Sequence, residues 1–458
     1  MDALRSLLLS SAKRDLLSKL LVQLIGAIDR DRQASMAGQS VSDTRSVSAV
    51  VQMLIALALY KQDFEPLYLD ATNAYFAQDA KDAVQRATIV DAAGKAVLRA
   101  PMLVHHVDHA VRGVVDAQAS ELSLHPSKAQ VGESIQRHYI EAHLPTWLDR
   151  GLPLLLDDAD WPTLSWLYGE CQQIDAVAAL RDAFVRWITA AFEAKVTNAE
   201  EADRMPNAIL LRHTVQAAVA TAFAHHALLD HAALTTLMQC INAKGQQFAE
   251  VLAKYADRLL RTGGKMMADA ALTSQLDAVL MLFRYLNNKD VFEQFYKLQT
   301  SKRLLTFRSG SLDHEMTMLV GLKKECGSDF TRSLETMFKD MALSKNMMER
   351  FERSDGRSLV TASTSHVPVE VNVLTASAWP TFSTVDWLLP PDMQATRDAF
   401  ETFYLSQHAG RVLQWQSSLD QCVLKAHLPK VIPPSRHSRL GLGTRVASTG
   451  RSQGAWKT

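Results

Sequence analysis

The chain has 458 residues, 47% of them hydrophobic, and its 49 basic side chains balance its 49 acidic ones. That length and apolar content allow two to four domains with sizeable cores, and zero net charge excludes a global pull toward nucleic acid or an anionic membrane. Abundant Leu and Ala with few strand-forming runs predict a mainly α protein.

From the N-terminus, Leu17, Leu20, Leu21, Leu24, Ile25 and Ile28 recur at three- and four-residue spacing and predict a helix over 14–29. The polar stretch 29–46 reads as a connection. Helices follow at about 47–60 and 65–76, then, after a break at Pro101, at 103–120. Another helix and a turn cover 131–156. Asp160-Trp161-Pro162 predicts a helix start, because proline is tolerated in a first turn. Further helices are expected over about 176–195, 207–228, 232–261 and 272–288, with short polar joints at 198–203 and 262–264. Serial antiparallel helices of this kind predict stacked bundles or an α-solenoid. From Asp290 the pattern tightens. Val291, Phe295, Leu298 and Lys302 lie along one helix, and Ser311 can cap the next. After Gly327, the residues Phe330, Leu334, Met337, Phe338 and Met341 form a wide apolar stripe that must be buried.

The texture then changes. Val369, Val371 and Val373 alternate with polar residues, which predicts a strand over 367–374 with one face buried. A helix over 392–406 and strands at 411–416 and 421–427 complete a small β-containing element. From Lys430 onward the chain holds six Lys/Arg and no Asp or Glu, so residues 1–429 carry a net charge of −6. This basic stretch is rich in Gly and Ser and lacks apolar periodicity, and disorder is expected over 430–458.

Catalytic and metal-binding patterns are weak throughout. Cys171, Cys240, Cys326 and Cys422 stand far apart, which fits free thiols in a reducing compartment. No apolar run reaches the length of a membrane-spanning helix, and the cytoplasm or nucleus is the expected location. His105 and His109 are four apart, as zinc ligands can be, but no glutamate follows His105 and no third ligand is evident. His225, His226 and His231 read the same way, as ordinary helix histidines. Gly263-Gly264-Lys265 lacks the first glycine of a phosphate loop and reads as a turn. Cys326, before Gly327, reads as a packed thiol. Lys302-Arg303 and Lys323-Lys324 read as solvated helix faces. No catalytic residue, metal site or cofactor is expected.

Several blocks, in order and at consistent spacing, resemble the cullin family of ubiquitin-ligase scaffolds. Lys289-Asp290-Val291-Phe292, Phe295-Tyr296-Lys297 and Lys302-Arg303-Leu304-Leu305 resemble KDVFxxFYxxxLAKRLL. Leu322-Lys323-Lys324-Glu325-Cys326-Gly327 resembles LKxECG, and the run from Leu334 to Met341 resembles LEGMFKDM. Val373-Leu374-Thr375 with Trp379-Pro380-Thr381 resembles VLTxGxWPTY, and HAGRVLQWQSSLDQCVLKA at 408–426 resembles HSGRxLxWQxxLGxCVLKA. Asp29-Arg30-Asp31-Arg32 is similar to a degraded IERERNGE block. The spelling of Leu389-Pro390-Pro391-Asp392-Met393 and Leu413-Gln414-Trp415-Gln416 leans toward the cullin-4 branch.

The resemblance implies helical cullin repeats over 1–283 with the first incomplete, a helical bundle over 284–366 and a partial α/β element over 367–429. It implies a non-catalytic scaffold of a cullin-RING ubiquitin ligase. Such a scaffold holds a RING-box protein, and through it a ubiquitin-conjugating enzyme, apart from a substrate receptor in ubiquitin-dependent protein degradation. In cullins the α/β sheet accepts a strand from the RING-box protein, and backbone pairing at a sheet edge explains such docking. The residues expected at that contact are Val369, Val371, Val373, Leu374, Trp379, Leu413, Trp415, Val423 and Leu424. The helices that grip a β-propeller or other adaptor have no match in these blocks, and after Lys430 neither do the rest of the α/β element, the winged-helix region and the lysine that accepts the ubiquitin-like modifier. A retained intron or shifted frame after Lys430 is the expected origin of the tail, with a true lineage-specific tail as the alternative. The alternative to the scaffold is a helical-repeat interaction protein derived from a cullin that no longer assembles a ligase.

Overall fold

Apolar residues at helical spacing dominate the chain, and the structure, a computed structural model, buries them between helices. It describes residues 14–36, 44–91, 94–354, 369–382, 388–408, 410–421 and 452–457. They fall into two compact units: Met1–Ala199 with Leu210–Leu237, and Glu200–Ile209 with Met238–Thr458.

In the first unit, helix α1 (Arg14–Met36) buries Leu17, Leu21, Leu24 and Ile28, much of the expected stripe. It runs on through residues expected to be a connection. Arg32 is buried: its Nη1 donates to Asp29 Oδ1 (3.2 Å), its Nη2 to Thr72 Oγ1 (3.2 Å), and its guanidinium lies 5.2 Å from the Phe76 ring centre. Gln118 Nε2 donates to Asp31 Oδ2 at 2.6 Å. Charged residues that pair inward look like solvent-facing ones in a sequence, and this is why the helix extends past the expected end.

Helix α2 (Thr44–Ala56) and helix α3 (Glu65–Ala87) follow. The latter passes its expected end at 76 because the small residues Ala80, Ala83 and Ala87 continue its buried face. A hairpin of β1 (Thr88–Val90) and β2 (Ala96–Leu98) was not legible, since three residues per strand are too few to show alternation. Beyond it, helix α4 (Trp161–Gln173) starts as expected, with Asp160 Oδ1 accepting from the Thr163 N–H at 3.3 Å. A polar centre sits beneath α3: Asp79 Oδ2 accepts from the Tyr139 hydroxyl (2.5 Å) and from His106 Nε2 (2.7 Å).

In the second unit, α5 (Gly245–Met266) packs against α6 (Asp269–Tyr285) and α7 (Lys289–Leu305). Helix α8 (Leu312–Cys326) packs on α6, and α9 (Ser328–Glu352) packs on α7 and α8. The helix expected over 232–261 is two helices, Ala227–Ala243 and α5. The turn expected at Gly263-Gly264-Lys265 is instead inside α5. A Cβ at Gly263 would come within 2.5 Å of Leu272 Cδ1, so this glycine permits close helix packing rather than a bend. Ser311 caps α8 as expected, accepting from the Asp313 N–H at 3.2 Å.

Arg303, read as part of a solvated basic face, is 0% exposed. Its Nε and Nη2 donate to the two oxygens of Glu315 (2.8 and 2.9 Å), and Nη1 donates to Asp257 Oδ1 (2.6 Å). Neighbouring helix positions lie about 100° apart, so Lys302 remains partly exposed while Arg303 points into the bundle. Among the described residues, no single helix is long and apolar enough to cross a membrane. The pair Thr44–Ala56 and Tyr60–Ala87 is so only jointly and is bent by 110°.

Candidate partner-docking site

The buried face of α9 changes character along its length. Leu334 and Met337 continue the expected apolar stripe. Asp340, Ser344 and Met348 then take the buried positions, while Phe338 and Met341 are only partly covered. Residues four apart on a helix lie on one face, and this polar row meets the strand β3 (Val369–Leu374).

The contact is a ladder. Asp340 Oδ2 accepts from the Thr375 N–H (2.8 Å) and from Trp379 Nε1 (2.9 Å), while Asp340 Oδ1 accepts from the Thr375 hydroxyl (3.1 Å). Ser344 Oγ accepts from the Val373 N–H (2.8 Å) and donates to the Val373 carbonyl (3.0 Å). Met348 Sδ receives the Val371 N–H at 3.4 Å. Four helical residues rise about 6 Å and two strand residues about 6.6 Å. The two repeats therefore match, and one edge of β3 is bonded to side chains of α9 instead of to another strand.

Over this edge lies a small core of Met348, Phe351, Val371, Phe400 and Tyr404. Helix α10 (Pro391–Gln407) supplies the last two, with the Phe351 and Phe400 rings edge to face at 5.2 Å. Strand β4 (Gln414–Gln421) adds Trp415, whose Nε1 donates to Glu401 Oε2 at 3.0 Å and whose ring carries the Arg397 guanidinium at 4.5 Å. A third strand, β5 (Ser452–Lys457), lies between the other two. It runs parallel to β3 with Val371 opposite Gly454, and antiparallel to β4 with Gln416 opposite Ala455. This strand falls within the tail for which disorder was expected. Its order rests on backbone pairing along both edges, which hydropathy does not register.

Of the nine residues expected at a partner contact, Val369, Val371, Val373, Leu413 and Trp415 gather on the small core. Leu374 is buried, and Trp379 is buried and anchored to Asp340. Val423 and Leu424 lie outside the described residues. Asn372 and Leu374 are also buried, so β3 is covered on both faces and not on one as its alternation suggested. The supporting row Asp340–Ser344–Met348 was missed. Its signal was two polar residues inside an apolar stripe.

The other clusters hold little chemistry. His105 is exposed, and the His109 side chain is outside the described residues. Among the described residues no three His, Cys, Asp or Glu side chains converge as metal ligands do. Cys326 ends α8, and burial pushes its thiol up from the usual cysteine range, away from the thiolate a nucleophile needs.

Comparison with known proteins covers both parts of the chain. Residues 2–348 match the Cullin alpha solenoid domain and residues 373–446 match the Cullin alpha+beta domain. The second match continues past Lys430, where the blocks read from the sequence stop. Among curated relatives, mouse Cullin-4A is 32% identical over 89% of this chain and 52% of its own length. Cullin-4 of Schizosaccharomyces pombe is 31% identical over 82% of this chain and 50% of its own. Cullin-4 of Dictyostelium discoideum is 29% identical over 84% and 46%. The chain thus spans about half the length of the curated relatives it matches.

Proposed function

This chain belongs to the cullin family, and we propose that it acts as a non-catalytic scaffold of a cullin-RING ubiquitin ligase. In this reading the α/β element receives a RING-box protein, which brings a charged ubiquitin-conjugating enzyme to an assembly that also holds a substrate receptor. The observation that carries the reading is the asymmetry of β3: side chains of α9 hold one edge, and strand pairing takes the other. Strand addition at such an edge draws affinity from backbone hydrogen bonds. The scaffold supplies no reacting group. It raises the effective concentration of the thioester near the substrate, and that is where its catalytic value lies. The reading carries with it a cytoplasmic or nuclear location.

The test is assembly from purified components. The chain and a RING-box protein, mixed at micromolar concentration, are expected to co-elute as a stoichiometric complex on size exclusion. Separate elution would leave a helical-repeat interaction protein with a cullin fold and no ligase role.

A further inference from the structure

We propose that the edge of β3 turned away from α9 is an exchangeable strand slot, filled in cis by Ser452–Lys457 and open to a partner's strand only when that segment leaves. The partner's identity as a RING-box protein rests on the scaffold reading above; the slot itself rests on geometry.

Backbone polar groups of successive strand residues point to opposite edges. The N–H of Val371 points to Met348 on α9, and the N–H and carbonyl of Val373 point to Ser344. The groups of Glu370, Asn372 and Leu374 therefore point the other way, and β5 lies along that edge with all six positions of β3 in register. The slot thus takes one extended segment of six residues, parallel to β3, with β4 on its far side.

The segment that fills it is a poor strand by composition. SQGAWK has one strong strand former, Trp456, and an interior glycine, Gly454, which weakens a strand. Its register against β4 shifts between Gln416 and Gln421. Thirty residues, 422–451, separate it from β4 in the sequence. An occupant carried on the same chain competes intramolecularly, at an effective concentration and without new contacts. If it fills the slot in about nine molecules of ten, apparent affinity for an incoming strand falls about tenfold.

The experiment compares the full chain with its Gly454→Pro variant, in which proline disrupts β5 and leaves the helices untouched. Three quantities are measured: amide hydrogen exchange along β3, affinity for a purified RING-box protein, and binding of a synthetic peptide of residues 450–458. In the variant, the amides of Asn372 and Leu374 are expected to exchange faster while Val371 and Val373, held by α9, keep their protection. The RING-box protein is expected to bind the variant about tenfold more tightly, and excess peptide to suppress that binding. Unchanged exchange together with equal RING-box affinity for both forms would overturn cis occupancy and leave the scaffold reading standing. Faster exchange and peptide binding, with no RING-box binding to either form, would overturn the partner and leave the slot. Trp456→Pro provides a second disruption of the same strand, and agreement between the variants excludes a local effect at Gly454.

Discussion

Arg303 and Asp340 are charged centres that the fold places away from water, and Asp79 is one that it half-buries, each with its partners already present. Arg303 forms a bidentate pair with Glu315 at zero exposure, and Asp257 takes its remaining nitrogen. Removing one member of a buried pair leaves an uncompensated charge, so Arg303→Ala is expected to lower stability by about 3–5 kcal/mol. Urea denaturation of the second unit measures this, and a loss under about 1 kcal/mol would refute the burial of the pair. Arg303→Lys is expected to recover only part of it, because an ammonium cannot reproduce the planar fork. Asp79 has a different consequence. Burial pushes its carboxyl up, but hydrogen bonds from His106 and Tyr139 outweigh this and hold it below the ordinary 3.8. A depressed carboxylate stabilises the fold above its unfolded value and loses that contribution as pH falls through the folded one. Thermal melting of the wild type is thus expected to drop more steeply than that of Asp79→Asn as pH is lowered below 3.8. Parallel curves would count against the network. None of these roles was legible in the sequence, because Lys302 and Arg303 are chemically alike and only rotation about the helix axis separates them.

At the scale of elements, the decisive unit is α9 with β3. The strand over 369–374 and the helix over 391–407 were both legible, because alternation and helical periodicity are local properties. The ladder joining helix to strand was not, since it depends on two repeats from distant segments coming into step. Ser344→Ala removes the hydroxyl that pairs with both the N–H and the carbonyl of Val373 and is expected to cost about 1–3 kcal/mol, read as faster amide exchange at Val373 with α9 still helical. Unaltered protection at Val373 would show that the hydroxyl is not its partner. Val371 is 1% exposed in the small core. Val371→Asp places a carboxylate among Phe351, Phe400 and Tyr404, where no cation is available to it in that cluster. This variant is expected to unfold the α/β element and abolish RING-box capture while the helical signal persists; wild-type capture would sink the assignment of the docking surface.

For the whole molecule, the proposed role is to join partners, and its test is what the chain adds to a reaction. A scaffold acts only through what it joins. In a reconstituted mixture of ubiquitin-activating enzyme, ubiquitin-conjugating enzyme and this chain, no acceleration of ubiquitin transfer is expected until a RING-box protein is added. Transfer accelerated by the chain alone would reveal a catalytic group and contradict the scaffold reading. The sequence by itself determined the helical class, the position of the β-containing element and the family likeness, because each rests on local periodicity or on short runs of neighbouring residues. Only the tertiary structure decided which charges are buried, which edge of β3 is already occupied by α9, and that Ser452–Lys457 enters the sheet. Those outcomes depend on pairing between groups remote in the chain, and the energy of such pairing is not carried by any one residue or its neighbours.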